Sequence, residues 1–250
     1  MSVPSQYDDF AGDYDWVYSD RALTGEPYYE GLRPLLDRLP PDPRILDCAC
    51  GTGIAALGLA RHGMRVIGSD ASEGMIVRAM ENARAQHLDV PFEVCAWERL
   101  GERFKGEFDL VLCGGNAIGH CRDAEEMIRS LRGMRSVMKP GGRIEIESRN
   151  WEKVLAERVR FTSLGHRERD GVRCATLWVW TFPARPDGAF LIEAVFVFDG
   201  DSGFSVRHYP VTYHPFRLDE LLERLRAAGL ADLTTDYASQ EDRYRVSATR

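Results

Sequence analysis

No stretch of the chain is apolar for long enough to cross a bilayer. Residues 1–10, polar and acidic, lack the pattern of a signal peptide. The expected location is the cytoplasm, with no membrane partner. Positive charge is in deficit: 32 Lys and Arg stand against 39 Asp and Glu, a net charge of -7. A nucleic-acid surface is usually basic, so nucleic acid is disfavoured as a partner. Metal-ligand cysteine spacing is missing too. The six cysteines are Cys48, Cys50, Cys95, Cys113, Cys121 and Cys174. Cys48 and Cys50 are too close for Cys-x-x-Cys, and no second pair exists, so they read as structural thiols and no metal is expected. Internal repeats and low-complexity segments are also absent.

What is present is a chain of 250 residues, 44% of them hydrophobic, enough for one large domain or one domain with an insertion. It is organised around Asp47-Cys48-Ala49-Cys50-Gly51-Thr52-Gly53, between the apolar Arg44-Ile45-Leu46 and the small-residue helix that starts at Ile54. Strand, tight turn and helix start suit a ligand that backbone must approach closely, and glycine at 51 and 53 removes the Cβ atoms that would obstruct it. Gly-x-Gly followed by Ala56 also fits the dinucleotide fingerprint. Asp47 tips the choice. A carboxylate there would repel a pyrophosphate, whereas it suits the ammonium of S-adenosylmethionine. Asp70, at the tip of the second strand (Met64 to Ser69), can take both ribose hydroxyls of either cofactor.

Further strands read at residues 91–95 and 107–113, and a helix end, turn and strand at Met138 to Glu147. Helices read over 54–62, from Ser72, and from Asp123. Gly133 inside the last of these costs roughly 1 kcal/mol relative to alanine. The alternation predicts an α/β fold, a Rossmann-like parallel sheet with helices on both faces, and ligands at the carboxyl ends of its strands. Asp47, Asp70, Cys95-Ala96-Trp97, Gly114-Gly115-Asn116 and Ser148-Arg149-Asn150 all fall at those ends. Four regions follow. Residues 1–40 form an aromatic-rich N-terminal helical cap or lid, and 41–150 a cofactor-binding core. Residues 151–215 form a small inserted antiparallel sheet, with strands at 175–182, 190–198 and 205–212 around an Asp199–Gly203 turn. Residues 216–250 add the last helix and a strand hairpin at the sheet edge.

These stretches, in this order, resemble the S-adenosylmethionine-dependent methyltransferases of Rossmann-like fold over about residues 40 to 150. The resemblance implies S-adenosyl-L-methionine as cofactor, with Asp47, Ala49, Gly51, Gly53, Asp70, Ala71, Ala96, Trp97 and Gly114 around it. Trp97 resembles the segment that packs on adenine. Many relatives carry an acid where Ala96 stands, which leaves the adenine amino group to backbone.

For the acceptor, Asn116 and Arg149 end adjacent strands, and a guanidinium can grip a carboxylate in two places. Read from position alone, Arg149 could equally pair with Glu147 while Asn116 shapes a turn. His120 reads as a backbone-bonded loop histidine ahead of a general base. Gly115-Asn116-Ala117-Ile118-Gly119-His120 and Ser148-Arg149-Asn150-Trp151 resemble segments of the glycine and sarcosine N-methyltransferases. That resemblance implies that Asn116 and Arg149 hold an amino-acid carboxylate, that Tyr18 stands near the methyl group, and that Arg207 to Tyr213 contributes a tyrosine. Ala117 and Ile118 depart from the family's Ser and Phe and imply a changed pocket. The expected activity is small-molecule amine N-methylation. Sugar-amine N-methylation, O-methylation and, from another class, a nicotinamide-dependent oxidoreductase are the alternatives. In the inserted sheet, Arg207, Tyr209, Val211 and Tyr213 share one face. That face could complete the acceptor site, stack the arginine on a tryptophan, or join two copies of the chain in a homo-oligomer.

Overall fold

The computed structural model describes residues 3–183, 188–200 and 203–250. Residues 201 and 202 of the expected Asp199–Gly203 turn lie outside these. The chain opens with four helices, α1 (Val3–Asp8), α2 (Ala11–Tyr14), α3 (Asp20–Leu23) and α4 (Glu26–Leu36). The alternating core follows: β1 (Arg44–Asp47), α5 (Ile54–Arg61), β2 (Arg65–Asp70), α6 (Glu73–Ala85), β3 (Phe92–Val94), α7 (Leu100–Arg103), β4 (Phe108–Cys113), α8 (Ala124–Ser136) and β5 (Met138–Arg149). After α9 (Trp151–Glu157) come β6 (Phe161–Arg169), β7 (Val172–Thr181), β8 (Phe190–Gly200) and β9 (Gly203–Tyr213). The chain closes with α10 (Leu218–Ala227), β10 (Ala231–Thr235) and β11 (Arg243–Thr249).

Seven strands form the main sheet in the order β10-β11-β5-β4-β1-β2-β3. β1 to β5 pair in parallel, and β11 adds antiparallel to β5. The order reverses between β1 and β4, which opens a crevice above their carboxyl ends. β4 is buried along its whole length. Its Val111 and Cys113 join a core with α8 and α10, and its Leu110 and Leu112 join a second core with α5 and α6 on the opposite face. Burial on both faces explains why this strand reads as an unbroken apolar run.

Helix starts follow side-chain caps. Ser72 Oγ accepts the Met75 N–H at 3.2 Å, and Asp123 accepts the Glu126 N–H at 2.8 Å. Gly133 has a packing reason, because a Cβ there would stand 2.0 Å from the Trp97 carbonyl oxygen. α8 thus rests directly on the backbone that carries Trp97.

Two expectations for residues 151–215 need correction. The inserted sheet has four strands in a meander, β6-β7-β8-β9, where the sequence suggested three. β6 is an edge strand rich in polar residues and mostly exposed, so it carries little apolar alternation. The helix α9 also precedes the sheet, capped by Asn150, whose Oδ1 accepts the Lys153 N–H. One face of the inserted sheet packs on the N-terminal helices: Phe10 is buried among Cys174, Ala194, Phe196, Phe198 and Val211.

Candidate active site

The glycine loop is set by its own hydrogen bonds. Cys50 N–H donates to Ser69 O at 3.1 Å and Gly53 N–H to Cys50 O at 2.8 Å. Gly51 (φ +51°) and Gly53 (φ +87°) take left-handed conformations that side chains resist. Asp70 stands over this turn. Its Oδ2 accepts the Gly51 N–H and its Oδ1 the Ser72 N–H, both at 3.0 Å. A carboxylate has about four acceptor positions, so Asp70 keeps capacity for a ligand beyond its backbone donors, and a ribose diol suits it. Asp47 is only 3% exposed, and burial pushes its carboxyl up to about 7, helped by the nearby charge of Asp70 and opposed by a bond from the Ala49 backbone. A buried carboxylate with so little compensation gains from a cationic ligand.

Two adjoining cavities open over the strand ends, with Tyr14, Ala49, Gly51, Gly114 and Gly115 in the wall of both. The larger, about 200 Å³, runs from Asp70, Ala71 and Met75 past Ala96 and Trp97 to Tyr7 and His120. The smaller, about 80 Å³, is bounded by Asp47, Thr52, Tyr18, Tyr28, Glu147 and Arg245. Trp97 is pinned by its indole N–H, which donates to Cys48 O at 2.7 Å. Gly53 is in neither wall. It backs the loop, and a Cβ there would stand 3.0 Å from the Phe92 ring. An adenine-sized apolar slot, a diol acceptor and an ammonium acceptor in sequence fit a nucleoside joined to an amino acid.

The N-terminal helices wall one side of this space, and three acids hold them down. Asp8 accepts from Ser72 Oγ (2.6 Å) and Gly74 N–H (3.0 Å), at the start of α6. Asp15 accepts from Thr52 Oγ1 (2.7 Å), Arg78 Nε (3.0 Å) and Asn82 Nδ2 (3.2 Å). Asp13 accepts from Arg207 Nη1 (2.8 Å) and the Tyr209 hydroxyl (2.7 Å) on β9. Arg207 therefore anchors the lid, with its guanidinium 4.4 Å from the Phe198 ring centre, and stacks on no tryptophan.

The candidate acceptor residues separate into two groups. Asn116, at φ +66° and buried, turns its Oδ1 to the Arg149 N–H at 2.9 Å, and its Nδ2 has no partner. The Arg149 guanidinium lies 5.0 Å from the Trp180 ring centre, and its buried Nε is also unpartnered. Burial lowers Arg149 to about 10, with nearby Arg243 adding to the effect. Glu147 pairs with Arg243, not with Arg149. Asn116 and Arg149 thus come together, although neither is in the wall of a cavity.

His120 and Tyr18 stand elsewhere. His120 is in the wall of the larger cavity, with Nδ1 2.8 Å from Thr212 O and Nε2 2.9 Å from the Tyr7 hydroxyl. A carbonyl only accepts, so Nδ1 carries the proton. Burial holds the ring neutral, at about 4, so Nε2 accepts from Tyr7. Both nitrogens are spoken for, which matches the backbone-bonded reading of this residue. Tyr18 lines the smaller cavity and bonds the Tyr14 hydroxyl at 3.1 Å. Tyr7, one of the aromatics of the N-terminal lid, reaches the larger cavity and also bonds Tyr213, at 3.2 Å. One tyrosine among nine carries no local signal; only the docking of α1 distinguishes it.

Residues 45–142 match the family model described as a methyltransferase domain. The glycine/sarcosine N-methyltransferase of Aphanothece halophytica is 27% identical over 201 residues, which is 80% of this chain and 71% of that relative. The glycine N-methyltransferase of Mus musculus is 29% identical over 245 residues, 90% of this chain and 82% of the relative. Among solved structures, an amino pentose methyltransferase from Micromonospora echinaspora with S-adenosylmethionine bound superposes with a TM-score of 0.72. It is 17% identical, over 97% of this chain and 96% of that one, and shows the shared fold.

Proposed function

Because this chain is an S-adenosylmethionine-dependent methyltransferase of Rossmann-like fold, we propose that its acceptor is a small amine that also carries a carboxylate. The relatives named for glycine and sarcosine N-methylation point the same way. The observation that carries the reading is the pair of unpartnered buried donors, Nδ2 of Asn116 and Nε of Arg149, on residues joined by the bond from the Arg149 backbone N–H to Asn116 Oδ1. An uncompensated buried cation is costly. A carboxylate would satisfy both donors at once, and arginine's planar fork suits it.

When bound, the cofactor supplies an electrophilic methyl group on sulfonium sulfur. The chain's task is then to position, to exclude water and to leave the acceptor's lone pair free. Tyr7 and Tyr14 of the lid form one wall of the larger cavity and narrow its mouth. An amine bound as the free base needs no base before transfer. His120, neutral and fully bonded, is suited to fixing the Tyr7 hydroxyl rather than taking a proton. The competing reading is an amino sugar, favoured by the tyrosine hydroxyls of the cavity wall, which would pair with ring hydroxyls. The test is a panel of amino acids beside their decarboxylated amines, with methylated product read by mass spectrometry. Amino acids are expected to be turned over far better, and equal turnover of the decarboxylated amines would overturn the carboxylate grip.

A further inference from the structure

Gly31 lies inside α4, where glycine weakens a helix. The position has a reason. A Cβ on Gly31 would stand 2.8 Å from Nη2 of Arg245, and Nη1 of Arg245 donates to the Gly31 carbonyl at 2.7 Å. The missing side chain is the gap through which the guanidinium of β11 lies under α4 and reaches the smaller cavity. Among the described residues, Arg245 is the single lysine or arginine in the wall of either cavity. It has no ion-pair partner among the described residues: the neighbouring Glu147 is taken by Arg243, and Glu145 by Ser247.

The amino-acid end of S-adenosylmethionine carries a carboxylate as well as an ammonium. Asp47 and nearby carbonyls suit the ammonium but would repel the carboxylate, which needs N–H or O–H donors. The same cavity wall offers the Arg245 fork and the Tyr28 hydroxyl. We propose that Arg245, cradled by Gly31 and assisted by Tyr28, receives the carboxylate of the cofactor's methionine portion. The role depends on the cofactor alone and stands whichever acceptor is methylated. A structural alternative is that Arg245 only offsets the charge of Glu145, beside which it lies.

The two roles are separated by ligand binding to the full chain, without turnover. Calorimetry would compare S-adenosylmethionine with its decarboxylated form, which keeps the sulfonium, the nucleoside and the ammonium. Wild type should prefer the carboxylated ligand by ten-fold or more. Arg245→Gln should erase that preference by weakening S-adenosylmethionine while leaving the decarboxylated form within about two-fold. Gly31→Leu, whose side chain needs the space that the guanidinium holds, should do the same and serves if Arg245→Gln fails to fold. Tyr28→Phe should reduce the preference several-fold. A preference unchanged in Arg245→Gln or Gly31→Leu, or a loss shared equally by both ligands, would overturn the proposal.

Discussion

The peptide N–H of Arg149 donates to Oδ1 of Asn116 at 2.9 Å, so the turn after β4 fixes the end of β5 with a side chain and leaves that side chain's NH2 free. Asn116→Asp keeps the bond to the backbone while exchanging the free donor for a carboxylate oxygen. For a carboxylate-bearing acceptor, kcat/KM should fall about ten- to a hundredfold, the scale of one charge-assisted hydrogen bond. Arg149→Lys should act in the same direction by losing the two-point grip. Cofactor affinity by calorimetry should stay nearly unchanged in both. An equal loss of cofactor affinity would assign the pair to the cofactor instead.

Asp70→Asn retains one acceptor oxygen for the loop but presents an NH2 where the other stood. Affinity for S-adenosylhomocysteine should weaken by about 1.5–3 kcal/mol, ten- to a hundredfold. Circular dichroism should show an intact fold. A folded mutant with wild-type affinity would remove Asp70 from the cofactor site.

Asp47 makes cofactor binding depend on pH. Burial raises its folded-state value from 3.8 to about 7, so the folded apo-protein holds a proton that the unfolded chain has released. The stability that this proton favours is present below pH 4 and is lost as pH rises through about 7. A ligand ammonium favours the carboxylate, so binding expels the proton. Affinity should climb about tenfold per pH unit below 7 and level off above it, with proton release visible in buffers of different ionisation enthalpy. Asp47→Asn should flatten the dependence. His120 runs the other way, since its lowered value makes stability rise with pH between about 4 and 6.5.

Gly133→Ala sets two effects against each other. Alanine gains about 1 kcal/mol of helix propensity. Its Cβ would stand 2.0 Å from the Trp97 carbonyl oxygen, a backbone atom that cannot rotate away. Overpacking of this kind costs about 1–3 kcal/mol or more. The clash should win, lowering Tm and, because Trp97 moves, weakening the cofactor. A raised Tm would show that α8 shifts freely.

Asp13 is buried and holds two β9 side chains to the lid. Asp13→Ala should lose about 1–3 kcal/mol, chiefly from the unsatisfied Tyr209 hydroxyl. Limited proteolysis within residues 3–18 should accelerate, and S-adenosylmethionine should partly protect. Unchanged cleavage would mean that Asp8 and Asp15 suffice.

The cofactor half of this site was legible because its signals are local. Glycines at forced backbone angles, a carboxylate at each of two strand ends and the alternation of apolar runs all sit within a few residues of what they specify. The acceptor half was legible in residue type but not in placement. Arg149 and Glu147 are two apart on one strand, yet Arg243 of β11, which stands opposite Arg149 in register, reaches diagonally to the glutamate and leaves Arg149 without an acid. β6 and α9 escaped because an exposed edge strand and a short capped helix bury little. Tyr7 joins His120 across 113 positions of chain, a pairing that tertiary docking alone creates.

The lid's three acids reach three separate bodies: the start of α6, the glycine loop and the inserted sheet. A swing of the lid that widens the mouth of the site therefore strains contacts to all three bodies at once. Sealing the methyl group from water and releasing the product draw on the same contacts in opposite senses. Raised ionic strength, which weakens charged latches at the surface first, is then a lever on residence time that leaves the chemistry of transfer untouched.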